Sequence, residues 1–96
     1  MKILFVDDDA GRLAEVRAIL EDSKLAVAAA FVAHEDEAAR ELCKTTFDVL
    51  VAAVDSPRSV GARVVSDVEE SYPTVARLVH SKSKAARDHI GARETA

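Results

Sequence analysis

The sequence predicts an α/β fold in which helices cover both faces of a mostly parallel sheet. Short continuous apolar runs alternate along the chain with segments whose apolar positions recur at helical spacing. The runs have the length and the continuous apolar character of strands buried on both faces of a parallel sheet. Strand–helix–strand units pack in a right-handed sense, so we expect a single domain over residues 1–96 with its ligand site at the carboxyl ends of the strands.

The first half of the chain predicts two strands and two helices. Residues 2–6, KILFV, form the first apolar run. A helix is expected over residues 10–21, and Asp9 is placed to cap its first turn. Residues 25–32 predict the second strand, although their alanines favour helices. Residues 34–44 return to helical spacing and predict the second helix.

The second half of the chain repeats the alternation. Residues 47–54, FDVLVAAV, predict the third strand, and Pro57 blocks its extension. The third helix follows, and its apolar face is formed by Val60, Val64, Val65 and Val68. After a turn at Tyr72-Pro73, residues 75–80 predict the fourth strand, and residues 83–92 predict a short polar helix.

Charge and composition exclude several classes of function. Seventeen acidic and 13 basic side chains give a formal net charge of −4, and nucleic-acid binding needs a basic surface, so we expect no nucleic-acid partner. No stretch reaches the roughly 18 to 20 apolar residues that cross a bilayer, and a strand pattern begins without a leader, so we expect a cytoplasmic protein without membrane contact. The single cysteine, Cys43, is expected to be buried on the apolar face of the second helix.

Three segments of the chain carry a family resemblance. Residues 2–9, KILFVDDD, resemble the opening of the receiver domains of response regulators, in which an acidic pair after the first strand helps to hold Mg²⁺. Residues 47–61 resemble the third-strand segment of that family. The matching residues there are Phe47, Asp48, Pro57 and Gly61. Residues 72–81, YPTVARLVHS, resemble the turn and fourth strand that end in the family's Ser or Thr, a position that Ser81 would fill.

The resemblance covers residues 2 to about 90 and implies a fold, a pocket and partners. The fold is the flavodoxin-like, doubly wound receiver-like sheet, here with four strands in the order 2-1-3-4. The implied function is signal transduction of the two-component, or phosphorelay, type, with a sensor kinase as one partner. The implied pocket is formed by Asp7, Asp8, Ala53, Asp55 and Ser81.

The first departure from the family concerns the phosphoacceptor. Counting five residues forward from Asp48 and four back from Pro57 leads to Ala53, where the family has its phosphorylated Asp. A methyl group has no lone pair with which to attack a phosphoryl donor. Asp55 is the nearest replacement, but two residues along a strand correspond to about 6.5 Å. The alternative is that Asp55 begins the turn before Ser56.

The acidic residues after the first strand allow two interpretations. Asp7 and Asp8 are candidate ligands of a hydrated Mg²⁺, which often takes only one or two protein carboxylates. Since Ala53 supplies no carboxylate, we expect any Mg²⁺ binding to be weak. In the alternative interpretation, Asp9 caps the first helix, and Asp7 and Asp8 are exposed at the end of a strand.

The second departure is length. The family continues with a fifth strand carrying a Lys and with a fifth helix, whereas this sequence ends at Ala96, so we expect the fifth strand to be missing. The fourth strand would then be an open edge with apolar residues Val75, Leu78 and Val79, and open edges pair. A homodimer, another protein partner and a longer parent protein all remain open.

These departures favour an interaction module over an enzyme. We expect a receiver-like module, a pseudo-receiver, that is not phosphorylated in the usual way and acts through protein contacts. The alternative is a working Mg²⁺-dependent phosphoacceptor that uses Asp55, Asp7 or Asp8. A folded remnant without a signalling role is a third alternative, because a fold does not determine a function.

Overall fold

The computed structural model describes residues 1–24 and 26–80. In this part of the chain four strands alternate with three helices, as the periodicity predicts. The elements are β1 (Lys2–Val6), α1 (Ala10–Ser23), β2 (Ala28–Val32), α2 (Glu35–Lys44), β3 (Val49–Ala53), α3 (Val60–Ser71) and β4 (Ala76–His80). Ser81 and the helix predicted over residues 83–92 lie outside the described residues.

The four strands form one parallel sheet in the order β2-β1-β3-β4, which confirms the predicted fold class and strand order. The registers place Leu4 beside Leu50 and Ala53 beside His80. The second strand is shorter than predicted and begins at Ala28 rather than at residue 25. Ala28 pairs with Lys2, the first residue of β1, so the ladder between the two strands starts there.

The main core lies between the sheet and the helices α2 and α3. Alternate residues of β1 and β3 point into it because side chains in a strand alternate between the two faces. The largest fully buried side chains are Leu4, Leu50, Val6, Val54, Val64 and Val68. The predicted apolar face of α3 is confirmed, with Val64, Val65 and Val68 buried and Val60 partly buried against the cluster.

The helix α1 covers the sheet differently from α2 and α3. None of the residues of Ala10–Ser23, all of which the structure describes, is fully buried, and Ile19 is 67% exposed. Its attachment depends instead on partly buried side chains and on polar contacts at its N-terminus. No helix in residues 1–24 and 26–80 is long and apolar enough to cross a membrane.

Two sequence-based predictions about single side chains are wrong in the structure. Cys43 is exposed, because the buried positions of α2 are Ala38 and Leu42 and the next residue lies about 100° further round the helix. Its Sγ lies 3.9 Å from the Tyr72 hydroxyl. Val75, predicted to belong to the open edge of the fourth strand, precedes β4 and is buried in the core cluster. It is therefore not part of a contact surface.

Candidate functional site at the carboxyl edge of the sheet

The carboxyl ends of β1 and β3 bring together acidic residues that are far apart in the sequence. The end of β1 is tied to β2 by the Asp7 N–H, which donates to the Val32 carbonyl at 3.2 Å. The end of β3 is tied to β4 by the Val54 N–H, which donates to the His80 carbonyl at 2.7 Å. These backbone bonds fix the positions from which Asp7 and Asp55 extend. Both residues lie at the edge where the sequence predicts a pocket.

Asp7 is a nearly buried carboxylate that accepts two hydrogen bonds. The residue is 7% exposed, although the sequence allowed for it to be exposed at a strand end. Its Oδ1 accepts from the Asp9 N–H at 2.8 Å, in a local turn typical of Asp, and from Arg12 Nη2 at 2.9 Å. Burying a carboxylate is costly unless it is paired and hydrogen-bonded, and both conditions are met here.

Arg12 is the central residue of the site, although it is not among the residues predicted from the sequence. Its Nη2 lies 2.9 Å from Asp7 Oδ1 and 2.6 Å from Asp55 Oδ2, and its Nη1 lies 3.5 Å from Asp55 Oδ1. Its Nε lies 3.7 Å from Asp9 Oδ2. The hydrogen bonds that the guanidinium donates to Asp55 and, with a smaller effect, to Asp7 raise its pKa further above the ordinary value, against a smaller opposing effect of desolvation. The positive charge of the guanidinium thus offsets the negative charges of the carboxylates around it.

The first turn of α1 explains why Arg12 reaches these carboxylates. Asp9 is the N-cap, as predicted, and its side chain accepts from the backbone N–H groups of Gly11 and Arg12. Arg12 is therefore the third residue of the helix, and side chains in a helix lean toward its N-terminus. The guanidinium extends in this direction, toward the ends of β1 and β3. The only feature of the sequence that indicates this role of Arg12 is its position three residues after a capping Asp.

Asp8 makes its described hydrogen bond with α3 rather than with Arg12. It is exposed, and its Oδ2 accepts from the Val60 N–H at 3.3 Å. Val60 is the first residue of α3, where backbone N–H groups lack helical partners and favour a negative charge. The two predicted metal ligands, Asp7 and Asp8, are thus adjacent in sequence but form hydrogen bonds with different helices, α1 and α3.

Ala53, the residue at the predicted phosphoacceptor position, ends β3 and is 7% exposed. The first turn of α3 packs directly on it. A Cβ at Gly61 would lie 2.1 Å from the Ala53 carbonyl oxygen, so this position needs a residue without a side chain. The turn between them is closed by Ser56, whose carbonyl accepts from the Ser59 N–H and whose Oγ accepts from the Arg58 N–H. Asp55, which was predicted to begin this turn, lies in the bend that leads into it, and its carboxylate also contacts Arg12.

The described residues, as arranged, do not fit a magnesium ion. Among residues 1–24 and 26–80, no group of three or more His, Cys, Asp or Glu side chains is placed to hold a metal. Mg²⁺ demands oxygen ligands at about 2.0 to 2.1 Å in near-octahedral geometry. Here Asp7 Oδ1 is bonded to a guanidinium and a backbone N–H, and Ala53 supplies no side-chain oxygen. A magnesium ion at this edge would have to displace the Arg12 guanidinium or lie close to its positive charge.

Comparisons with known proteins test the fold against solved structures. No protein-family model matches the sequence, and no curated protein matches it significantly. A receiver domain of an HD domain-containing protein from Pseudomonas fluorescens superposes with a TM-score of 0.75 at 22% identity, over 86% of this chain and 65% of the other. A CheY-like response regulator receiver domain from Methanospirillum hungatei superposes with a TM-score of 0.77 at 17% identity, over 97% of this chain and 73% of the other.

This chain has the receiver fold. The BeF3-activated receiver domain of DrrB also has it, with a TM-score of 0.71 at 19% identity over 97% of this chain and 75% of the other. This chain spans less than two thirds of the length of the first of these three structures. At these identities the likeness concerns the fold, and the strand order β2-β1-β3-β4 agrees with it. The receiver fold places Ala53 and the Asp7–Arg12–Asp55 group at one edge of the sheet.

Proposed function

We propose that this chain is a signal-transduction module with the receiver fold that acts through protein contacts, is not an enzyme, and is not phosphorylated at the end of β3. The observation that carries the proposal is Ala53 at that position, nearly buried and without a nucleophilic atom. The chain keeps the scaffold that presents a surface to partners and lacks the usual acceptor. A sensor kinase remains one partner class within this proposal, and a cytoplasmic location remains a prediction from the sequence.

The arrangement of Asp55 supports the same proposal. A carboxylate that attacks a phosphoryl donor must offer a free lone pair in line with the leaving group. The Asp55 carboxylate is instead held by two contacts with the Arg12 guanidinium, at 2.6 and 3.5 Å. These charge-assisted contacts withdraw electron density from the carboxylate and restrict its orientation, so an attack by Asp55 is disfavoured. The alternative function, Mg²⁺-dependent phosphorylation on Asp55, Asp7 or Asp8, therefore starts from an unfavourable geometry.

Intact-mass measurement tests the proposal directly. The wild-type chain and its Asp55→Ala variant are incubated with Mg²⁺ and acetyl phosphate, beside a standard receiver domain that serves as the positive control. We expect the standard receiver to gain a phosphoryl group and the wild-type chain to keep its mass. A Mg²⁺-dependent adduct that disappears in Asp55→Ala would make Asp55 the acceptor. An adduct that persists in Asp55→Ala would point to another carboxylate, and either adduct would refute the proposal.

For the contact surface, we propose the β4 edge and, as its partner, a second copy of this chain. In the described part of the sheet β4 pairs with β3 alone, and strands without a second neighbour present unpaired N–H and C=O groups. Leu78, at the centre of β4, is 61% exposed, and Val79 is partly buried against the core. A homodimer that joins two such edges would cover Leu78 and satisfy the backbone groups.

Sedimentation equilibrium of matched variants tests this contact surface. Leu78→Asp places a charge on the proposed interface. Ile19→Asp places the same charge on α1, at a residue of similar exposure that lies outside β4. We expect the mass of a dimer for the wild type and for Ile19→Asp, and the mass of a monomer for Leu78→Asp. A monomeric wild type, or dimers of all three proteins, would refute self-association through β4.

A further inference from the structure

The acidic cluster at the carboxyl edge of the sheet is arranged like a metal site, but the Arg12 guanidinium lies at its centre. Carboxylate oxygens from the ends of β1 and β3 converge on one atom, because Asp7 Oδ1 lies 2.9 Å and Asp55 Oδ2 lies 2.6 Å from Arg12 Nη2. A divalent cation gathers carboxylates in the same way, at metal–oxygen distances of about 2.0 to 2.6 Å. The charge that brings these carboxylates together is supplied here by α1.

The guanidinium is a permanent occupant of this position. Arginine keeps its charge at any pH that a folded protein tolerates, so no titration removes the cation. The side chain is 21% exposed and is also held by Asp9 Oδ2, 3.7 Å from its Nε. Its planar fork binds both Asp55 oxygens, as is typical of Arg–carboxylate pairs. A metal ion could take this position only if the Arg12 guanidinium left Asp7 and Asp55.

We infer that Arg12 replaces a divalent cation in this receiver fold, so that the carboxyl edge is held together without metal, and that removal of its charge turns the edge into a divalent-cation site formed by Asp7 and Asp55 together with the nearby Asp8. The contacts of Arg12 also fix Asp55, two residues after β3, to the start of α1. The inference rests on the Arg12 contacts and does not require that the chain acts through protein contacts.

Thermal unfolding with and without divalent cations tests the inference on the full chain, with no phosphodonor present. Wild type, Arg12→Gln and Arg17→Gln are melted in 0 to 10 mM MgCl₂ at constant ionic strength. Arg17 lies on the same helix, but its guanidinium lies 4.7 Å from the centre of the Phe31 ring, away from the carboxylates. We expect the Tm of the wild type and of Arg17→Gln to change by less than about 1 °C, and that of Arg12→Gln to rise by about 5 °C with saturation.

Arg12→Lys distinguishes charge from shape, because it keeps the cation and loses the planar fork. We expect its Tm to remain insensitive to Mg²⁺. A saturable Mg²⁺ response of the wild type equal to that of Arg12→Gln would overturn the inference, and so would a folded Arg12→Gln variant that ignores Mg²⁺.

A second measurement does not depend on the folding of the Gln variant. Mn²⁺ is titrated into the wild-type chain and into Asp7→Asn, and binding is followed by the relaxation of water protons. We expect no saturable binding to either protein below about 1 mM, a range in which weak divalent-cation sites are occupied. Submillimolar binding to the wild type that is lost in Asp7→Asn would overturn the inference. Because no phosphodonor is present, this result is distinct from a failure of the intact-mass prediction.

Discussion

The contact between α3 and the end of β3 gives a prediction whose magnitude follows from the structure. Gly61 is the second residue of α3, and a Cβ built there lies 2.1 Å from the Ala53 carbonyl oxygen and 2.9 Å from its carbonyl carbon. Both atoms belong to the backbone of β3, so no side-chain rotation can relieve the overlap. Gly61→Ala therefore forces the first turn of α3 away from β3 by about 1 Å, since ordinary carbon contacts begin near 3.5 Å.

The expected cost of Gly61→Ala is the balance of two effects. Forcing an extra methyl group into a packed core costs about 1 to 3 kcal/mol. Replacing Gly by Ala within a helix gains at most about 1 kcal/mol, and less in the first turn. We expect a net destabilisation of about 1 to 2 kcal/mol, which for a domain of this size lowers the Tm by about 5 to 15 °C.

Urea and thermal unfolding, followed by circular dichroism at 222 nm, measure this loss. Gly11→Ala is the matched control, because Gly11 is the second residue of α1 and its Cβ would meet only the Asp9 Oδ1 side-chain atom, at 3.1 Å. We expect this control to stay within about 0.5 kcal/mol of the wild type, as is usual for exposed substitutions. Equal stability of the two variants would contradict the close packing of α3 on Ala53.

Two further predictions concern single side chains. Asp7→Asn should destabilise the chain by about 1 to 3 kcal/mol in a urea titration, because it weakens a nearly buried ion pair with Arg12. Asp8 is exposed, so Asp8→Asn should cost less than about 0.5 kcal/mol in the same titration. Equal effects would contradict the different burial of the two residues. Cys43, which is exposed, should react stoichiometrically with Ellman's reagent in the folded protein. Reaction only after addition of urea would show that the thiol is buried.

The regular part of the fold could be predicted from the sequence because it depends on local patterns. Continuous apolar runs predicted β1 and β3, and the spacing of Val64, Val65 and Val68 predicted the buried face of α3. The cap at Asp9 followed from its place before a helical segment. The strand order 2-1-3-4 followed from the family resemblance and is confirmed by the sheet.

The centre of the candidate site could not be predicted in the same way. Arg12 and Asp55 are 43 residues apart, and they meet only because β1 and β3 are neighbours and α1 begins beside them. An Arg in the first turn of an amphipathic helix is, from sequence alone, typical of a solvated face. The predictions for Cys43 and Val75 failed for a related reason. A shift of one residue along a helix decides whether Cys43 is buried, and a position one residue before the strand places Val75 in the core.

The weak attachment of α1 to the sheet predicts the order in which parts of the domain unfold. A helix that buries none of its residues gains little apolar free energy from docking, so it belongs to the part of a protein that unfolds locally at low cost. The amide hydrogens of α1 should then exchange with solvent well before those of β1 and β3. Ionic contacts at partly exposed sites weaken with salt, and the N-terminus of α1 is held by such contacts through Arg12. Rising ionic strength should therefore release this helix first, while the sheet and α3 stay folded.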